Sequence, residues 1–212
     1  MAAVHGQVGE VGEDSGVPFP FRHAVDALRG ARVRSQVRIE EVTAPRRLAS
    51  YAYALEATVL ADADGEELAD GRVVLLHEPQ GHEAWSGTFR MVTLARAELE
   101  PEMAGDPLLP EVSWSWLTGA LAAHGAGHGE PSGTVSRASS HFFGGLGDRP
   151  DETRIELRAS WTPQERPGGL IDVTAHLAAW CDLLCACAGL PPAEDAPVRG
   201  TAGVVPLPKR RT

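Results

Sequence analysis

Between residues 153 and 162 apolar and polar positions alternate without interruption: Ile155, Leu157, Ala159 and Trp161 on one side, Arg154, Glu156, Arg158 and Ser160 on the other. A period of two belongs to an extended chain whose successive side chains face opposite ways, so this stretch predicts a strand with one face in a core and one in water. The same period recurs upstream. Residues 33–40 set Val33, Ser35, Val37 and Ile39 against Arg34, Gln36, Arg38 and Glu40, up to the stop at Ala44-Pro45. Residues 51–61 put Tyr53, Leu55, Ala57 and Val59 on one face, and residues 71–77 follow the acidic turn around Asp62, Asp64 and Gly65. After the turn Glu78-Pro79-Gln80-Gly81, residues 84–97 carry Phe89, Met91 and Thr93 one way and Arg90 the other, with 94–100 able to fray into helix. Residues 134–143 make the remaining strand, after a glycine-rich connection (125–133) expected to be mobile or to cross an edge.

Three other stretches keep the helical period. Pro18-Phe19-Pro20 opens a short helix with Phe21, Ala24, Val25 and Leu28 on one face and Arg22, Asp26 and Arg29 on another, stopped by Gly30. Asp172 is a plausible N-cap for a last helix ending near Gly189, whose stripe is Val173, Leu177, Trp180, Cys181, Leu184 and Ala188, with Ala178, Ala179 and Asp182 behind. The middle helix, residues 112–123, differs. Its apolar positions, among them Trp114, Trp116, Leu117 and Leu121, cover an arc of roughly 200°, about twice the stripe one sheet hides. A second cover is therefore expected: the first helix, the last helix, or the same helix of a second subunit across a two-fold axis. Trp114, Trp116, Leu117 and Leu121 are the interface candidates, while Trp161 and Trp180 are expected to meet in one core.

The order is helix, four strands, helix, two strands, helix. Alternating strands with short connections predict an α+β fold: an antiparallel sheet of about six strands with helices packed mainly on one face. Of 212 residues, 43% are apolar and 23% charged, which suits one globular domain, expected over residues 18–192. The flanks, 1–17 and 193–212, lack periodicity and are expected to be disordered tails.

A net charge of −10 disfavours nucleic acid or an anionic membrane as partner, since both need clustered Lys and Arg. Residues 1–17 carry no export signal, and no run is long and apolar enough to cross a bilayer. The three cysteines, 181, 185 and 187, make no disulfide framework and point to a reducing cytoplasm.

Candidate chemistry is sparse. Cys181-x-x-x-Cys185-x-Cys187 has neither redox-pair nor zinc-knuckle spacing, and His124 and His128, four apart, are separated by helix-breaking glycines, so no metal and no cofactor is expected. The acidic turn near Asp62 lacks the geometry of a calcium loop, and Ser139, Ser140 and His141 are too close in sequence for a triad. The best polar cluster is His77 and His82, flanking a turn with Glu78 and Glu83 beside them, which could do acid–base work if the hairpin brought them together.

Phe21-Arg22-His23-Ala24-Val25-Asp26-Ala27-Leu28, Arg38-Ile39-Glu40-Glu41, Ala179-Trp180-Cys181-Asp182-Leu183-Leu184-Cys185 and above all Leu108-Leu109-Pro110-Glu111-Val112-Ser113-Trp114-Ser115-Trp116-Leu117 resemble an uncharacterised actinobacterial family of about this length, a domain of unknown function. The resemblance covers nearly all of 18–192 and implies no catalytic residue. More loosely, the element order is similar to that of small bacterial secretion chaperones and related dimeric binding proteins, which dimerise through their middle helix. These patterns lead to the expectation of a non-enzymatic cytoplasmic protein-binding, adaptor or chaperone-like protein, a possible homodimer whose partner is another protein. The rival expectation is a small hydrolase or transferase using His77 and His82 with nearby carboxylates.

Overall fold

The computed structural model describes residues 16–61 and 65–191. The expected tails fall almost wholly outside these residues, as does the centre of the acidic turn, residues 62–64. Gly16 and Val17, at the end of the first expected tail, touch the domain: the Tyr51 hydroxyl donates to the Gly16 carbonyl (2.8 Å) and Val17 packs on the core.

Six strands form one antiparallel sheet: β1 (Val37–Val42), β2 (Tyr51–Leu60), β3 (Glu67–His82), β4 (Gly87–Leu99), β5 (His128–Ser140) and β6 (Glu152–Pro163), in the spatial order β1-β2-β3-β4-β6-β5. The helices are α1 (Phe19–Arg29), the short α2 (Pro101–Ala104), α3 (Leu109–Ala123) and α4 (Val173–Cys187). The small hairpin β7 (Glu165–Arg166) and β8 (Leu170–Ile171) precedes α4. This is the expected α+β architecture.

The register fixes which side chains share a face. Met91 lies opposite Leu75 and Trp161, so the inner face collects Tyr53, Leu55, Val59, Val73, Leu75, Phe89, Met91, Ile155, Leu157 and Trp161, all buried. Helix α4 lies on this face against β2, β3, β4 and β6, with α3 and α1 on its flanks. Squeezed between a sheet and two helices, α4 is buried nearly all round: besides Val173, Leu177, Trp180, Cys181 and Leu184 of the expected stripe, Ala179, Leu183, Cys185 and Cys187 are buried, while Ala188 is half-buried. The Asp172 carboxylate caps it by accepting from the Ala175 N–H (3.3 Å).

Several boundaries differ from the periodicity. Strand β1 begins at Val37, not at residue 33, because a turn closed by the Val37 N–H on the Arg34 carbonyl (3.0 Å) ends it; Val33 still packs on the core. Residues 94–99 remain strand, because β6 pairs them through Leu99↔Thr153. Part of the glycine-rich connection is strand too: β5 starts at His128, bulges between Gly129 and Ser132, and makes one edge of the sheet.

Candidate functional site

Among the described residues no α-helix lies on the outer face of the sheet. Toward β1 it is covered by the segment 43–50: Ala44 and Ala49 pack with Ala54, Val74, Leu76 and Trp85 in a small second core. That segment is pinned at its end by Glu78, whose carboxylate accepts from the Ser50 N–H (3.2 Å) and hydroxyl (2.8 Å). Further along the strands lie ion pairs: Arg72 with Glu56, Arg96 with Glu156 (3.0 Å), and Arg158 with Glu156 (2.7 Å). The arginines beside Glu156 hold its carboxyl below the ordinary carboxylate range.

Between cover and ion pairs an open groove of about 510 Å³ remains, floored by Val74, Val92 and Leu94 and bounded by Pro45, Leu48, Arg72, Arg158, Ser132 and Ser160. Its volume lies within the range of small-molecule sites. Behind the Ser132 and Ser160 side of the groove, and not itself among its lining residues, is Arg90, only 7% exposed. Its Nη1 donates to the Thr162 hydroxyl (3.0 Å), and its Nη2 donates to the hydroxyls of Ser160 (2.8 Å) and Ser132 (3.2 Å). Thr162 in turn donates to the Trp85 carbonyl (2.5 Å). No described carboxylate pairs with Arg90. Glu130, exposed in the β5 bulge with φ of 50°, acts on it only at longer range, and burial pushes the guanidinium below its ordinary value. An arginine remains charged even so.

The expected histidine cluster is not brought together. His77 points inward: it is buried, stacked on Phe89 at 4.2 Å, and its Nδ1 lies 3.1 Å from the Thr88 carbonyl. Burial holds it below its ordinary pKa, against smaller opposite pulls from the Thr88 carbonyl and from Glu165 and Glu78. His82 is exposed and stacked on Trp85 at 4.5 Å, Glu78 holds Ser50, and Glu83 lies in a single 3-10 turn. The bulge between His77 and His82 separates them, because the strand alternation sends one residue to the core and the turn sends the other to solvent.

The middle-helix candidates also divide. Leu117 and Leu121 are wholly buried within the chain, as is Ser113, whose hydroxyl donates to the Leu109 carbonyl (2.6 Å). Trp114 and Trp116 are half-buried against the same core. The wide apolar arc of α3 is covered in part, by α4 on one side and by β5 on the other, where Trp114 rests on Gly133, while Val112 and Ala123 stay exposed. His124, at the end of α3, pairs with Asp182 of α4 (2.6 Å) and fastens the two helices.

A second histidine lies in the core. His176 accepts from the Trp161 indole N–H at Nδ1 (3.1 Å), and burial, helped by His128, pushes its pKa down to about 4. The thiols of Cys181, Cys185 and Cys187 are unbridged and raised by burial, that of Cys187 to about 12. Among the described residues no group of three or more His, Cys, Asp or Glu side chains could hold a metal ion, and no helix is long and apolar enough to cross a membrane.

Arg90, Ser132, Ser160 and Thr162 escaped the sequence reading. A trace of the site was visible: Arg90 shares its face with Val92 and Leu94, an apolar run where a solvent face calls for polar residues, and charge on the matching face of β6 stops at Ser160. No curated protein and no solved structure matches the chain. A family described as "Protein of unknown function (DUF3000)" matches residues 17–196, Trp-Ser-Trp segment included, and the chain belongs to that family.

Proposed function

We propose that this is a non-enzymatic binding protein that takes its ligand in the groove on the outer face of the sheet. The supporting observation is the contrast in cover: every long helix lies on the inner face, while Val74, Val92 and Leu94 floor an open groove on the other. Apolar surface left in a concave site is stabilised by an apolar ligand. The buried, unbridged thiols fit a cytoplasmic setting. The test uses N-phenyl-1-naphthylamine, a neutral fluorescent probe. The unmutated protein is expected to bind it, and Val92→Trp, which fills the groove from its floor, to bind it at least about tenfold more weakly with unchanged far-ultraviolet circular dichroism. Equal binding by both proteins would place the probe elsewhere and end this reading.

A second reading, in which the partner is another copy of the chain, is favoured by β5. This 13-residue edge strand is exposed along almost its whole length and, from Ser132 to Ser140, carries a single charge, Arg137. Edge strands are commonly guarded by several charges, and an unguarded one invites pairing. Light scattering at tens of micromolar decides it: a mass near 45 kDa, twice the 22.5 kDa chain, supports edge-to-edge pairing, and a mass of one chain refutes it.

A further inference from the structure

We infer that the groove is specific for an apolar molecule ending in a carboxylate, with Arg90 as the group that receives the anion. The inference rests on the groove reading above and adds the chemistry of the ligand. A cation as buried as Arg90 is costly unless paired, and its neighbours Thr162, Ser160 and Ser132 are neutral hydroxyls. Three of the five N–H donors of an arginine are used by these bonds; the Nε–H and one Nη1–H have no acceptor among the described residues. Arg72, Arg96 and Arg158 on the same face have carboxylate partners, whereas no described carboxylate is bonded to Arg90, on which Glu130 acts only at longer range. Arg90 does not itself line the groove, but Ser132 and Ser160 line it and accept from the guanidinium, which puts the charge one side chain behind the groove wall.

The body of the ligand follows from the floor. Strands β3, β4 and β6 are each paired on both sides, so their backbone N–H and C=O groups are taken up by the ladders. A peptide laid across Val74, Val92 and Leu94 would leave its own amides unsatisfied there, whereas an alkyl chain has none to satisfy.

Decanoate and 1-decanol, alike except for the charged end, are titrated calorimetrically into the unmutated protein and into Arg90→Met. A hydrogen-bonded carboxylate is expected to raise the affinity of the unmutated protein for decanoate about tenfold to a hundredfold over the alcohol. Arg90→Met is expected to abolish that preference while still binding the alcohol. Should the variant not fold, the two ligands on the unmutated protein still decide. Equal affinity for them overturns the carboxylate assignment and leaves the groove standing as a neutral site. A preference for decanoate that persists in Arg90→Met moves the anion away from Arg90 and overturns the assignment too. Binding of neither ligand overturns the groove reading and this inference together.

Discussion

On its inner face, where α4 packs, the sheet places Phe89, Met91, Leu157 and Trp161, all fully buried; on its outer face it presents Arg72, Arg90, Arg96 and Arg158. Both faces obey one alternation, yet they are stabilised by different means. Inside, side chains of fixed shape interdigitate, and a missing group leaves a cavity that its neighbours cannot fill. Outside, long charged chains pair across strands in water, where each pair contributes little. The outer face therefore tolerates an open groove, and Arg90 belongs to neither regime: at 7% exposed it is nearly as buried as the inner residues, yet charged like the outer ones.

Substitutions that remove inner volume should separate the faces most sharply. Trp180→Ala is expected to cost about 3–5 kcal/mol, read as a lower urea midpoint. Trp180→Phe should cost less, because it also removes an indole N–H that is buried without an acceptor. An unchanged midpoint in Trp180→Ala would contradict its place in the core.

Next in size is an effect of pH. The folded pKa of His176 is about 4 and the ordinary value 6.5, so protons bind the unfolded chain more readily. Its contribution is complete above pH 6.5 and is lost as pH falls towards 4, about 3 kcal/mol over that window. His77, also depressed by burial, acts in the same direction. His176→Gln keeps an acceptor for the Trp161 N–H and should reduce the fall in stability between pH 6.5 and 4. A profile identical to that of the unmutated protein would mean that His176 does not titrate as its burial requires.

Smaller again is the effect expected at the seam of α3 and β5. A Cβ at Gly133 would come within 2.7 Å of the Trp114 ring and closer still to the Arg158 carbonyl. Gly133→Val should thus cost about 1–3 kcal/mol and shift Trp fluorescence as Trp114 is displaced. Unaltered fluorescence would show that the ring does not rest there. Smallest is Arg96→Ala, which breaks the pairs with Glu156 and Asp70 (4.0 Å) on the outer face. It should change stability by no more than about 1 kcal/mol in thermal unfolding; a larger loss would mean that the outer ladder supports the fold and that the two faces are more alike than their chemistry suggests.

Much of this division was legible in the residue pattern. The alternation of Arg154 to Trp161 specifies a half-buried strand, Pro20 and Gly30 bound α1, and Asp172 starts α4, because each acts through neighbours within a few positions. Antiparallel pairing and the one-sided packing of helices follow from those elements. What the pattern lacks is distance between positions far apart in the chain. It could not place His77 inward and His82 outward across a bulge, nor choose α4 over a second subunit as the cover for Leu117 and Leu121. Arg90 reads in sequence as one more solvent-facing arginine; only the tertiary structure sets it against Ser132, Ser160 and Thr162, 42 to 72 residues away, with no described carboxylate bonded to it. Local sequence settles which backbone state is stable at each stretch, whereas the charge balance of a site depends on which strands become neighbours, and that is decided by packing of the whole core.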